Sequence, residues 1–199
     1  VEQFGPQLVE FGADVLGERT STDTVARAQA GQKKKAKAGW ACLTWPKEYG
    51  GRGATPMQSV IWGQEEAKFK TPPNIFGIGI GMCGPTVLTH GTPEQKKRWI
   101  PKLVTGEEIW CQLFSEPAAG SDLAGLRSTA VKKGEDWIIN GQKIWTTGAH
   151  FCDWGILVVR SDANAVKHAG LTYFVVDMHS PGVEVRPITQ INGGQGFNE

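Results

Sequence analysis

The hydrophobic period of this chain changes once, at Thr105-Gly106-Glu107-Glu108, and no other feature constrains the fold as tightly. Before that point apolar residues recur every three or four positions; after it they alternate. The first spacing puts an apolar stripe on a helix, and the second puts alternate residues on one face of a strand. The two halves therefore predict an α+β chain: an N-terminal helical bundle over residues 1–108, then an antiparallel β-barrel or sandwich over 109–199.

In the helical half, Phe4, Leu8, Phe11 and Val15 fall on one face of a first predicted helix. A second runs over 25–38 and stops at Gly39, ahead of the loop Thr44-Trp45-Pro46-Lys47-Glu48-Tyr49-Gly50-Gly51. Pro56 suits the first turn of a third, which ends near Lys70 because Pro72-Pro73 forbids continuation. Thr92-Pro93-Glu94-Gln95 reads as an N-cap with proline at the first helical position, opening a helix through Trp99, Ile100 and Leu103. Between these lies 75–90, apolar nearly all round. Its Gly79-Ile80-Gly81-Met82-Cys83-Gly84 is a literal GxGxxG, but no strand precedes it and Pro85 follows, so a closely packed buried helix is expected instead of a dinucleotide fingerprint.

The second half predicts strands at 109–114, 127–132, 137–145, 155–160, 171–176 and 183–188. Lys133-Gly134-Glu135-Asp136 is a hairpin turn, and Asn140-Gly141 a turn or bulge inside the third strand. Short strands at this spacing describe a sandwich or barrel.

Composition excludes several classes. A formal net charge of +1 gives no composition-level case for nucleic acid or an anionic membrane. Lys33, Lys34, Lys35 and Lys37 cluster at near-helical spacing, as a solvated helix face does. Cys42, Cys83, Cys111 and Cys152 form no CxxC pair, and His90, His150, His168 and His179 show no metal-ligand spacing, so buried reduced thiols and no metal are expected. The lack of a leader-like start or a long apolar run predicts a soluble, cytoplasmic protein. Both ends look cut, as in a fragment of a longer polypeptide.

The candidate site is Leu113-Phe114-Ser115-Glu116-Pro117-Ala118-Ala119-Gly120-Ser121-Asp122 followed by Trp145-Thr146-Thr147. The first is a small-residue turn whose NH groups can crowd around an anion. The second offers a flat aromatic beside two hydroxyls, so together they fit a planar, phosphate-bearing cofactor. Each part alone has a plainer reading. Ser121-Asp122 can cap a local turn, Trp145 is one of eight tryptophans of which most must be core, and Thr146-Thr147 suits any strand.

These residues resemble the acyl-CoA dehydrogenase family. Ser115-Glu116-Pro117-Ala118-Ala119-Gly120-Ser121-Asp122 is similar to its Thr/Ser-Glu-Pro-x-Ala-Gly-Ser-Asp turn, and Asn140-Gly141-Gln142-Lys143-Ile144-Trp145-Thr146-Thr147 to its Asn-Gly-x-Lys-x-Trp-x-Thr segment. Pro46-Lys47-Glu48-Tyr49-Gly50-Gly51, Gly91-Thr92-Pro93-Glu94-Gln95-Lys96 and Ser180-Pro181-Gly182-Val183 match in the same order. The family fold is a helical domain, a middle β domain and a C-terminal four-helix bundle; the resemblance covers the first two.

The resemblance implies FAD bound against the β domain. Ser115 would stabilise negative charge near N1 and the C2 carbonyl of the reduced ring, and Thr147 would offer its hydroxyl to N5. Trp145 would pack on the ring, Gln112, Phe114 and Thr146 would line it, and Gly120 and Ser121 would meet the pyrophosphate, Ser121 also facing substrate. The implied reaction is α,β-dehydrogenation of an acyl-CoA thioester in fatty acid or other lipid degradation, with hydride passed to the flavin and electrons to an electron-transfer flavoprotein. The family's base is a glutamate of the C-terminal domain, and no residue here matches it; neither Glu116 nor Glu199 is promoted to that role. Ser115 for threonine, Ala118 for glycine and Gln112 for an aromatic are the departures, the last touching the shape of the substrate cavity. Lys167 and His168 fit a solvent-exposed loop better than a CoA-phosphate site. Alternatives are an acyl-CoA oxidase or flavin monooxygenase of the same fold, or a base-less FAD- or CoA-binding subunit of a heteromeric dehydrogenase. A homo- or hetero-oligomer is expected.

Overall fold

The computed structural model describes residues 21–199, so the first predicted helix, with Phe4, Leu8, Phe11 and Val15, lies outside the described residues. The described chain packs as two units that divide between Ile109 and Trp110.

In the helical unit, α1 (Thr22–Lys37) starts at Ser21, whose hydroxyl accepts the Thr24 N–H at 3.2 Å. Lys34, Lys35 and Lys37 fall in its last turn, where the helix dipole favours cations. Lys33, Lys34 and Lys37 are exposed, Lys33 pairing with Glu107, and the half-buried Lys35 pairs with Glu66. Helix α2 (Pro56–Glu66) and helix α4 (Pro93–Thr105) each begin with a capping box, Thr55 with Gln58 and Thr92 with Gln95. Two glutamines of α1 close the end of α4: Gln32 Nε2 donates to the Val104 carbonyl and Gln29 Nε2 to that of Gly106, both at 2.9 Å. Gly106 needs its left-handed φ of 74°, and a Cβ there would stand 2.7 Å from Phe76.

The GxGxxG glycines lie inside a helical segment, a π turn at Gly79–Cys83 running into α3 (Gly84–His90). Gly84 is set directly against the Trp45 ring, leaving no room for a Cβ. The segment is buried on one side only: Gly79, Cys83, Gly84 and Val87 point inward, while Gly77, Gly81 and Met82 are exposed. Its apolar residues outnumber those the helix buries.

The β unit contains β1 (Trp110–Leu113), β2 (Thr129–Lys133), β3 (Asp136–Asn140), β4 (Thr146–Thr147), β5 (Trp154–Arg160), β6 (Leu171–Asp177), β7 (Pro187–Ile188) and β8 (Phe197–Asn198). Strand β5 is the spine of the larger sheet. Antiparallel β6 pairs along its whole length. On its other edge β1 runs parallel to it, Trp110 opposite Trp154 through Leu113 opposite Leu157, and β2 continues that edge from Thr129 opposite Arg160. Strands β2 and β3 form the expected hairpin, with Gly134 at φ 65° in its turn. A smaller antiparallel sheet has the order β4-β8-β7.

The α+β class holds, with one correction: the larger sheet is mixed and does not close into a barrel. The physical reason is the long crossover between β1 and β5, which carries the β2–β3 hairpin and β4 and lets the chain re-enter in the same direction. Strand β5 also shows the signature of two-sided burial, since Gly155 to Val159 are all buried. Val158 joins Ala119, Leu126, Phe114 and Tyr173 on one face; Leu157 and Val159 join Ala130, Ile139 and Phe174 on the other.

Of the predicted third strand, 137–145, only 137–140 pairs, as part of β3, and the next strand, β4, begins beyond it at Thr146 in the other sheet. Strand β3 ends after Asn140 because Gly141 is pressed onto Ser128, where a Cβ would overlap the side chain and lie 2.8 Å from Ser128 Cα. Trp145, at φ 62°, then takes a left-handed conformation no strand permits. Of the predicted strand at 183–188 only β7 pairs, and β8 is an addition. No described helix is long and apolar enough to cross a membrane.

Candidate functional site

Strand β1 delivers the Ser115 turn and β4 carries the hydroxyls, and a buried ion pair joins the two. Glu116 and Lys143 have side chains only 5% and 9% exposed, and Lys143 Nζ donates to Glu116 Oε1 at 2.7 Å. The same ammonium donates to the Phe114 carbonyl at 3.0 Å and the Val158 carbonyl at 2.8 Å, using all three of its protons. Glu116 also accepts the N–H of Arg127 at 2.6 Å and that of Ser128 at 3.0 Å. Between Phe114 and Glu116, the Ser115 carbonyl accepts the Ile144 N–H at 2.9 Å.

This network sets the ionisation of its members. Burial pushes the Glu116 carboxyl up, but hydrogen bonds from Lys143, Ser128 and Arg127 outweigh it and hold the group at about 2. Burial pulls the Lys143 ammonium below its ordinary value, against the opposing Glu116 charge. Glu116 is thus a spent carboxylate, ionised and fully hydrogen-bonded, and not a base at neutral pH.

Around the ion pair the turn is tight. Glu116 and Ala119 exchange both backbone hydrogen bonds, at 2.7 and 3.1 Å, so Pro117 and Ala118 form its exposed tip. Gly120 and Ser121 follow, both exposed, with nothing within 4 Å of where a Gly120 Cβ would stand. Trp145 is 56% exposed and touches Phe197 edge-on at 6.0 Å. An exposed tryptophan in left-handed backbone is strained twice over, in conformation and in solvation, as is common where a ligand is held. Thr147 is exposed, while Thr146 is buried with its hydroxyl unpaired among the described residues. The Asn198 side chain braces this strand, donating to the Thr146 carbonyl at 3.1 Å and contacting His150 Nδ1 at 3.1 Å.

The residues read from the sequence separate accordingly. Ser115 is brought to the segment carrying Trp145, Thr146 and Thr147, and the hydroxyls of Ser115, Ser121 and Thr147 make no hydrogen bond to another described residue. Gln112 is half-buried in β1 opposite Ile156. The Phe114 ring turns into the core, edge-on to Tyr173 at 6.2 Å. Lys167 and His168 lie exposed in a short helical turn. Lys143 and Gly141, present in the second motif without an assigned role, and Ser128, outside both motifs, join the site only in the folded chain. For Lys143 the signal was available: a glutamate and a lysine each sit inside one of the two motifs, and opposite charges in paired buried segments need one another. All four cysteines are buried thiols, and burial pushes Cys42 up to about 11.

A set of unspent hydroxyls, an open glycine turn and a presented indole is a donor set suited to a planar group with an anionic tail. Over residues 10–107 the chain matches the acyl-CoA dehydrogenase N-terminal domain, and over 111–198 the acyl-CoA dehydrogenase middle domain. It is 43% identical to the acyl-CoA dehydrogenase IpdE1 of Mycobacterium tuberculosis over all of this chain and 54% of that protein. It therefore spans about half the length of that curated relative. Among solved structures it is similar to a Tcur3481-Tcur3483 steroid ACAD (31% identity, TM-score 0.79, covering 91% of this chain and 46% of that one). The ChsE4-ChsE5 complex of Mycobacterium tuberculosis is also similar (32% identity, TM-score 0.77, covering 90% and 48%). With both domain matches in sequence order and the β-unit motifs joined in space, this chain belongs to the acyl-CoA dehydrogenase family.

Proposed function

We propose that this chain provides the FAD-binding part of an acyl-CoA dehydrogenase that acts in lipid degradation, on a fatty acyl or steroid-derived thioester. The observation that carries the reading is the joint between Ser115 and the Ile144-Trp145-Thr146-Thr147 segment, which gathers unpaired hydroxyls beside an exposed indole. FAD, when bound, supplies the hydride acceptor for α,β-dehydrogenation. The chain's own residues bind and orient it. Ser115 and Thr147 donate hydrogen bonds toward the ring, where reduced-state negative charge needs fixed dipoles. Trp145 would cover the ring, with Gln112, Phe114 and Thr146 in the wall behind it. Gly120 and Ser121 offer backbone and hydroxyl donors to phosphate, and Ser121 also borders the substrate.

Removal of the α-proton falls to a carboxylate outside these residues, because Glu116 is committed to Lys143. Electrons leave to an electron-transfer flavoprotein. The names of the steroid ACAD and of the ChsE4-ChsE5 complex support a hetero-oligomer in which a second chain completes the site. Anaerobic titration of the native protein with acyl-CoA thioesters, from short fatty acyl to steroid side-chain forms, tests the activity. Bleaching of the flavin band by at least one thioester is expected; an FAD-loaded protein that none of them bleaches sinks the dehydrogenase reading.

A further inference from the structure

We infer that Lys143 is a positioning residue for the flavin site: by tying Phe114, Glu116 and Val158 to one ammonium, it fixes Ser115 against the segment carrying Trp145 and Thr147. The inference rests on the flavin reading above. After Leu113 the chain leaves β1, and residues 114–116 have no strand partner to hold them. Beyond the backbone bonds that Glu116 exchanges with Ala119 and the Arg127 and Ser128 N–H bonds to its carboxylate, three bonds tie them to residues 143–144: Phe114 O and Glu116 Oε1 to Lys143 Nζ, and Ser115 O to the N–H of Ile144. Ser115 is bracketed on both sides and its carbonyl is taken, while its hydroxyl makes no hydrogen bond to another described residue.

The bond to Val158 O anchors the bracket in the middle of β5, the most buried strand of the unit. Ser128 carries it further, donating its N–H to Glu116 while Gly141 packs against it, which brings the backbone of 141–144 close enough for Lys143 to reach three acceptors. The Glu116 carboxylate cancels the ammonium charge, so Lys143 acts through geometry and contributes little field of its own.

A purely structural ion pair and a positioning one differ in what survives neutralisation. The double variant E116Q/K143M removes both buried charges at similar volume, so the fold is retained, but no ammonium bridges the three acceptors. FAD dissociation constants and visible absorption band shape are measured on the native holoprotein and on this variant, beside apoprotein melting. The expected result is a folded apoprotein that binds FAD on the order of tenfold more weakly, with an altered band shape, as losses of supporting shells do. Wild-type affinity and band shape in the folded double variant overturn the inference. If that variant does not fold, K143R decides: its wider fork keeps the charge but cannot serve the same three acceptors, so weakened FAD binding is expected and unchanged binding overturns the inference. A wild-type protein that binds no FAD overturns the flavin reading itself, which separates the two failures.

Discussion

At the scale of single residues, the Glu116 carboxylate ties acid stability to the site. Its folded value of about 2 lies below the ordinary 4.5. A lowered carboxyl stabilises the fold in full above its unfolded value and loses that contribution as pH falls through the folded one. The contribution is on the order of 3 kcal/mol, present above about pH 4.5 and gone near pH 2. Lys143, lowered by burial, adds nothing to this acid limb. Denaturant unfolding at stepped pH is expected to show the loss in the wild type and not in E116Q; equal acid limbs would remove Glu116 from the account. Trp145 makes a second residue-scale prediction. Replacing it by glycine relieves left-handed strain of roughly 1 kcal/mol while deleting the indole. Apoprotein stability is expected to change by less than about 1 kcal/mol, because the ring's exposure leaves little packing to lose, while FAD binding weakens. A large drop in apoprotein melting temperature would mean that the indole is structural.

At the scale of elements, what the sequence made legible is what local chemistry decides. Thr92-Pro93-Glu94-Gln95 showed the start of α4 outright, and Thr92→Ala is expected to cost about 1 kcal/mol in thermal unfolding. The Lys133–Asp136 turn, and with it the β2–β3 hairpin, was legible for the same reason. The parallel pairing of β1 with β5 was not, since strand sense depends on where a distant segment returns. The continuous burial of Gly155 to Val159 was the one local hint. The interruption at Asn140-Gly141 was legible as a turn or bulge, but its cause, Gly141 meeting Ser128, and the change of sheet after it were not. Gly141→Ala forces a Cβ into that contact and is expected to destabilise by roughly 2 kcal/mol or more. Calorimetry checks it; a neutral effect would mean that Ser128 and its strand yield easily. In the candidate site, Ser115, Trp145 and Thr147 were visible as types, whereas the Lys143 clamp became visible only when the strands had brought Phe114, Glu116 and Val158 together.

At the scale of the molecule, the two family domains coincide with two separately packed units, and the site motifs fall entirely in the second. In the β unit Glu116 is ionised and paired with Lys143, which removes it as the base, and in the proposed dehydrogenase the α-proton falls to a carboxylate of another segment or chain. That division predicts a protein whose flavin chemistry depends on another segment or chain, and native mass measurement is expected to find it in a larger assembly with a second acyl-CoA dehydrogenase chain. A lone chain turning over an acyl-CoA would contradict the division. The claim beneath all of this is that the Ser115 turn and the Trp145–Thr147 segment together bind FAD. Equilibrium binding of FAD to the native protein, followed by flavin absorbance, tests it most directly. The account predicts stoichiometric binding that weakens on the order of tenfold or more when the Ser115 and Thr147 hydroxyls are removed together. A colourless protein that takes up no FAD on reconstitution would contradict it.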